Sequence, residues 1–391
     1  MKARMIRDGV YALGAIDWDR RLFDSLIPLP DGTSYNAYLI RGSEKTALLD
    51  TVDPSKMGIL LSQLEDVPEI DYVVSHHAEQ DHSGTIPTIL EKYAQARVVS
   101  TARAKPMLVD LLAIPEERIV PVGDGDILSL GGKTLEFIHT PWVHWPETMV
   151  SYLREDRILF SCDFFGSHLA TSDLYATESR VLEPAKRYYA EIIMPFRKVV
   201  QKNVEKVIPY EPDIIAPSHG PLYDRPAFII DAYRDWLSSP PRNMAVVAYV
   251  SMHGSTARLV EHLVGALVER GVAVERFDLT TVDIGKLAVV LVDAATIVLG
   301  TPTVLVGPHP NVVYAAYLAN VLKPKARFVS VIGSYGWGGK SVEQLTGMMA
   351  SLEAEVLDPV LCKGLPRPTE FEALDHLAAS IASKHGEMGL V

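Results

Sequence analysis

Between residues 245 and 352 the apolar positions change period in a regular order. Short, mostly apolar or β-prone segments at 245–249, 273–277, 296–299 and 327–332 read as strands. The stretches at 256–270, 284–292, 312–322 and 341–352 instead carry apolar residues at the three-and-four spacing of a helix. Strict alternation of the two predicts a parallel, doubly wound sheet with helices on both faces. Before residue 243 the pattern is less regular. Strand candidates at 37–40, 47–49, 72–75, 98–100, 135–139, 158–161 and 214–216 are interleaved with helical stretches such as 86–93, which predicts mixed α/β layers. Paired prolines in Ser238-Ser-Pro-Pro-Arg-Asn243, after the aromatic amphipathic stretch 228–237, separate the two regimes. The expected domains are therefore 1–243 and 244–391.

Composition narrows the function. The formal charge of −12 comes with no block of Lys or Arg, which argues against a nucleic-acid surface and leaves room for a small soluble partner on a local patch. The N-terminus lacks the apolar core of a signal peptide, and no apolar run approaches bilayer length, so a cytoplasmic location without membrane contact is expected. Cys162 and Cys362 are the two cysteines of the chain. That number excludes a disulfide framework, an iron–sulfur cluster and an appended rubredoxin-like module. Any metal must rest on His, Asp and Glu.

The run His77-Ala-Glu79-Gln-Asp81-His82 packs four ligand-capable side chains into six positions, a poor choice for a core and a good one for metals. Further candidates follow apolar segments and sit among turn formers: His144 in Thr-Pro-Trp-Val-His-Trp-Pro, Asp163 in Phe-Ser-Cys-Asp-Phe-Phe-Gly, and His219 in Ala-Pro-Ser-His-Gly. If two metals shared Asp163, each would receive two histidines and one terminal carboxylate. Two ferrous ions against three carboxylates leave a charge of about +1, which favours oxidation to the ferric state. Asp50, closing a strand, is balanced between orienting a ligand histidine and capping a turn. His76, His139, His168, His262, His309, His376 and His385 read as structural, with His168, close behind Asp163, the most plausible exception.

The second half carries a phosphate cradle. Ser251, Met252, His253, Gly254, Ser255 and Thr256 follow its first strand and open a helix, where hydroxyls, amides and the helix dipole suit a phosphate dianion. Two further loops end successive strands: one with Pro302, Thr303, Val304 and Gly307, the other with Ser334, Tyr335, Gly336, Trp337 and Gly338. Three such loops around the switch point of a doubly wound sheet are where a flat ligand binds. Glycine there permits close approach to a ring, and Tyr335 or Trp337 is placed to flank it.

Together these residues resemble the flavodiiron proteins, or A-type flavoproteins, over nearly the whole chain. The resemblance implies an N-terminal metallo-β-lactamase-like αββα sandwich with a non-haem diiron centre, and a C-terminal flavodoxin-like sheet that binds FMN. Carried over by position, one iron takes His77, Glu79 and His144 and the other Asp81, His82 and His219, with Asp163 bridging. In the related hydrolases the comparable run is richer in histidine and holds zinc. Glu79 stands where they have a second histidine, and its harder oxygen moves the preference towards iron or manganese. Ser255 replaces an asparagine frequent among relatives and can still donate a hydrogen bond. The implied activity is reduction of O2 to water, of NO to N2O, or of both, with electrons from a separate donor: rubredoxin, a flavoprotein reductase or a reduced deazaflavin. A head-to-tail homodimer, or a dimer of such dimers, is also implied. The competing reading is a zinc-dependent hydrolase fused to a flavodoxin, against which Glu79 counts.

Overall fold

A computed structural model describes residues 2–238 and 240–391; Ser239, in the expected linker, lies outside them. The chain divides into two compact units, Met1–Leu237 and Ser238–Val391. In the first, a seven-stranded sheet runs in the order Arg4–Arg7, Val10–Asp17, Thr33–Arg41, Thr46–Leu49, Tyr72–Val74, Arg97–Thr101, Ile119–Val122. A five-stranded sheet contains Ile127–Ser129, Thr134–His139, Met149–Leu153, Ile158–Cys162 and Ile214–Pro217.

Side chains alternate across the first sheet and both faces are buried. Tyr38, Ile40, Leu49, Val74 and Val99 point into a core shared with Phe137, Phe160 and Ala216 of the second sheet. Their neighbours Leu39, Leu48, Val73 and Val98 pack under Leu60, Leu64, Ile86, Ile89 and Leu108 from helices. This two-sided burial is why these strands are continuously apolar. On the second sheet, Ile138, Val150, Leu159 and Ile215 face away from the shared core and are buried as well. The helices Glu178–Tyr188, Arg197–Val207 and Ala227–Leu237 complete the αββα sandwich. The strands Val10–Asp17 and Met149–Leu153 were not anticipated from the apolar pattern. In the first, Gly14 interrupts the run, yet a Cβ there would come within 2.0 Å of the Tyr35 carbonyl oxygen, so the close pairing itself requires glycine.

In the second unit the order is Ala273–Asp278, Arg242–Tyr249, Ala294–Val304, Phe328–Tyr335, then the short strands Glu355–Val356 and Val360–Lys363. All these pairs are parallel. This 2-1-3-4-5 arrangement is the flavodoxin-like doubly wound sheet. Val246, Ile297 and Val331 pack against helix Pro310–Leu322 on one face, and Val247, Val298 and Ile332 against helices Ser255–Glu269 and Pro368–Glu387 on the other. The last strands and the last helix lie beyond the alternation read from the sequence. Among the described residues, no helix is long and apolar enough to cross a membrane.

Candidate metal centre and flavin cradle

The parallel register of the first unit brings its candidate ligands to one end of both sheets. Thr46–Leu49 pairs with Tyr72–Val74, and Ile158–Cys162 with Ile214–Pro217. The chain leaves these strands into the loops that carry His77, Asp163 and His219. Asp81 and His82 sit on the short helix Gln80–Ser83, whose start is held by Ser83 Oγ donating to the Ala78 and Glu79 carbonyls. His144 comes from the loop between Thr134–His139 and Met149–Leu153.

All seven candidates converge. His77, Glu79, His144 and Asp163 form one group whose potential ligand atoms lie within 4.8 Å of each other; Asp81, His82 and His219 form a second. Asp163 faces both. Its Oδ2 lies 3.6 Å from His77 Nε2 and 3.5 Å from His144 Nε2, and its Oδ1 lies 3.1 Å from His82 Nε2 and 3.5 Å from His219 Nε2. Glu79 Oε2 is 3.0 Å from His77 Nε2 and 3.1 Å from His144 Nε2; Asp81 is 3.4 Å from His82 Nε2 and 3.2 Å from His219 Nε2. Metal–ligand bonds of roughly 2.0–2.2 Å put neighbouring ligand atoms about 3.0–3.5 Å apart, so these spacings suit a shared cation in each group.

Electrostatics agree. Burial opposes charge on His82, but Asp81 and Asp163 outweigh it and push its pKa up to about 10. Burial likewise opposes charge on Asp163, yet His82, followed by His77 and His144, holds its carboxyl well below the usual range. The cluster demands positive charge, and protons on imidazole answer a demand that metal cations answer better. Both Asp81 oxygens and Asp163 Oδ2 are buried without a hydrogen-bond partner among the described residues, which a polar interior tolerates poorly unless a cation is the partner. Three carboxylates with four imidazoles and no thiolate form a donor set suited to iron.

Asp50, evenly poised in the sequence between two roles, serves a different histidine. It does not orient a candidate ligand: it accepts from His76, at 2.7 Å from Nδ1 and 2.9 Å from the amide, while His76 Nε2 lies 2.8 Å from Ser151 Oγ. The reason is register, since Leu49 pairs with Val74 and the Asp50 amide donates to the Val74 carbonyl at 2.8 Å, which leaves Asp50 beside the chain that continues to His76. His77 is oriented instead by Glu147, at 2.7 Å from its Nδ1. His168 lies outside both groups. Its Nδ1 is 2.9 Å from Thr33 Oγ1, its ring is 5.1 Å from that of His219, and burial with His219 nearby keeps it neutral.

Three neighbours escaped the sequence reading. Tyr188 donates to Asp163 Oδ1 at 2.8 Å. Glu147 gave a faint signal, an acid two positions before the mostly apolar segment Met149–Leu153. Asp24, in the turn between Leu22–Phe23 and Ile27–Pro28, has its pKa raised to about 6 by burial and by Glu79 and Asp81.

In the second unit the three loops end adjacent strands at the switch point between Arg242–Tyr249 and Ala294–Val304. Gly254 adopts the left-handed conformation (φ +86°) immediately before helix Ser255–Glu269, whose N-terminus has no side-chain cap from that residue. Ser251 Oγ accepts from the Ala257 amide at 3.1 Å, and Thr256 Oγ1 lies 3.1 Å from Ser334 Oγ, joining the first loop to the third. Pro302, Thr303 and Val304 end a strand that turns back through Gly307–Pro308. Met252, His253, Leu305, Val306 and Trp337 are exposed around the loops. Among the described residues, no atom beyond the adjoining chain lies within 4 Å of where a Cβ would stand on Gly254, Gly336 or Gly338. A phosphate at the helix start and a flat ring against open glycine backbone therefore fit this end of the sheet.

Comparison with known proteins adds independent findings. A family model described as ODP family beta lactamase matches residues 33–220. A nitric oxide reductase from Moorella thermoacetica is 34% identical, the match covering 97% of this chain and 98% of that one. Among solved structures, a rubredoxin oxygen:oxidoreductase from Desulfovibrio gigas superposes with a TM-score of 0.94 at 29% identity, over 98% of both chains. A flavodiiron protein from Giardia intestinalis superposes with a TM-score of 0.91 at 27% identity, over 98% of this chain and 96% of that one.

Proposed function

The chain belongs to the flavodiiron proteins, and from that premise we propose a division of labour: the first unit reduces the gas at two irons, and the second unit, which already begins at Ser238 and whose sheet includes Arg242 and Asn243, holds the FMN that feeds them. The protein is an oxidoreductase that reduces O2 to water, NO to N2O, or both. His77, Glu79 and His144 hold one iron, Asp81, His82 and His219 the other, and Asp163 bridges. The observation that carries this reading is Asp163, with one oxygen facing two histidines and the second facing two others. Glu79 disfavours the hydrolase alternative, because a zinc site of this type would take imidazole there.

When bound, two ferrous ions would supply two electrons and reduced FMN two more, matching the four needed for O2 + 4H⁺ + 4e⁻ → 2H2O and exceeding the two needed for 2NO + 2H⁺ + 2e⁻ → N2O + H2O. The protein's own part is placement and exclusion. Tyr188 holds Asp163 by its Oδ1, so that the oxygens facing the two histidine pairs keep their direction. Trp145, edge-on to His77 at 4.8 Å between ring centroids, gives the site an apolar wall. Ser251, Ser255 and Thr256 hold the FMN phosphate, and the loops at 302–307 and 334–338 hold its ring. An external donor reduces the FMN; rubredoxin is one candidate. The working form is a cytoplasmic head-to-tail homodimer in which electrons cross between subunits.

The test is anaerobic reduction of protein with known iron and FMN content, followed by separate titrations with O2 and NO. Reoxidation of iron and flavin with water or N2O as product is expected. Loaded, reduced protein inert to both gases would overturn the reading.

A further inference from the structure

The two candidate metal positions are backed differently. Behind the first, Glu147 Oε1 accepts from His77 Nδ1 at 2.7 Å and from the Ala78 amide at 3.0 Å, and the Glu147 side chain is fully buried. Behind the second, His219 Nδ1 donates to the neutral Ser34 carbonyl at 2.7 Å, and His82 Nδ1 has no partner among the described residues. Glu147 also shares its loop with His144, and that loop is braced by Thr148 Oγ1 donating to the Thr140 carbonyl at 2.5 Å and by Thr101 Oγ1 donating to the Glu147 carbonyl at 2.9 Å. One loop therefore supplies a ligand of the first position and the carboxylate behind another.

A carboxylate behind a ligating imidazole fixes the ring and raises its basicity, and a neutral carbonyl does the first with less of the second. An electron-rich ligand favours the ferric ion over the ferrous. We propose that Glu147 is a positioning residue that makes the His77, Glu79, His144 position the tighter and the harder to reduce of the two. Burying an anion here without a metal side to face is costly. Its complete burial is thus explained by a charge directed through His77 at one position. The inference rests on the diiron reading above.

The experiment compares anaerobic Fe(II) binding and reduction potential in full-length chains, with circular dichroism as a check on folding. His82→Ala damages the second position and leaves the first; His144→Ala does the reverse. Adding Glu147→Gln, which keeps an oxygen for His77 but removes the charge, should weaken Fe(II) binding about 10–100-fold in the His82→Ala background. In the His144→Ala background it should change binding little. The single Glu147→Gln variant should keep two irons at saturating metal, with one step of its reduction moved to higher potential, and this reading remains available if a double variant fails to fold. Equal loss in both backgrounds, or an unmoved potential, would show Glu147 to be a part of the scaffold and overturn the inference alone. A wild-type chain that takes up no iron would sink the diiron reading itself.

Discussion

The Tyr188 hydroxyl donates to Asp163 Oδ1 at 2.8 Å, inside a site where both residues are almost wholly buried. A neutral donor thus holds the one carboxylate that faces both histidine pairs. Tyr188→Phe should lower the stability of the metal-free chain by about 1.5–3 kcal/mol, the range for a hydrogen bond to a charged group. The loss should shrink once iron is bound, because the metals then hold Asp163. Chemical denaturation with and without Fe(II) measures both; equal losses in the two states would contradict it.

Metal identity follows from Glu79, 3.0 and 3.1 Å from two imidazoles. Protein from iron-replete cells should contain about two irons per chain, and Glu79→His should lower iron retention and move occupancy towards zinc. Elemental analysis decides the matter. Two zinc ions in the wild type, or unchanged iron in the variant, would show that this carboxylate does not select the metal.

Thr256 Oγ1 lies 3.1 Å from Ser334 Oγ at the start of the cradle helix. Thr256→Ala should weaken FMN binding by roughly 1–3 kcal/mol if the hydroxyl meets a charged phosphate oxygen. Thr256→Ser should recover most of it. Fluorescence titration of flavin-free protein gives the affinities, and an alanine variant that binds as tightly as the wild type would remove Thr256 from the phosphate site.

His385, in the second unit, provides a pH dependence of stability. It is fully buried, with Nε2 2.7 Å from Thr296 Oγ1 and Nδ1 2.8 Å from Asn243 Oδ1, and burial lowers its pKa. Because the folded pKa lies below the unfolded value of about 6.5, the unfolded chain takes up the proton first. The contribution is complete above that value and is lost as pH falls towards the folded pKa. Unfolding free energies at pH 7.5 and 5.5 should therefore fall more in the wild type than in His385→Asn. Parallel curves would mean that His385 titrates alike in both states.

Transfer between subunits is tested by complementation. Heterodimers of a His82→Ala chain and an FMN-deficient Thr256 variant should recover part of the gas-reducing activity that both parental homodimers lack. Demonstrated subunit exchange without recovery would point to transfer within one chain. Hydrogen peroxide as the main product of O2 reduction would instead show that electrons arrive only two at a time.

Strand positions were legible in the sequence wherever burial on both faces leaves a continuous apolar run, as at 72–75, within which Tyr72–Val74 forms. The pattern was silent for Val10–Asp17, interrupted by Gly14, because only the neighbouring backbone of Tyr35 explains why a glycine belongs there. The six-residue run from His77 to His82 announced metal chemistry by itself, since such density of imidazole and carboxylate has no other economical use in a buried segment. Which groups stand behind those side chains was decided in three dimensions. Asp50 faces His76 because parallel register carries both strands past each other, whereas His77 meets Glu147, seventy positions away, and Asp163 meets Tyr188, twenty-five away. Hydrogen-bond partners are chosen by distance and direction in the folded chain, and no local pattern of hydrophobicity or spacing encodes either.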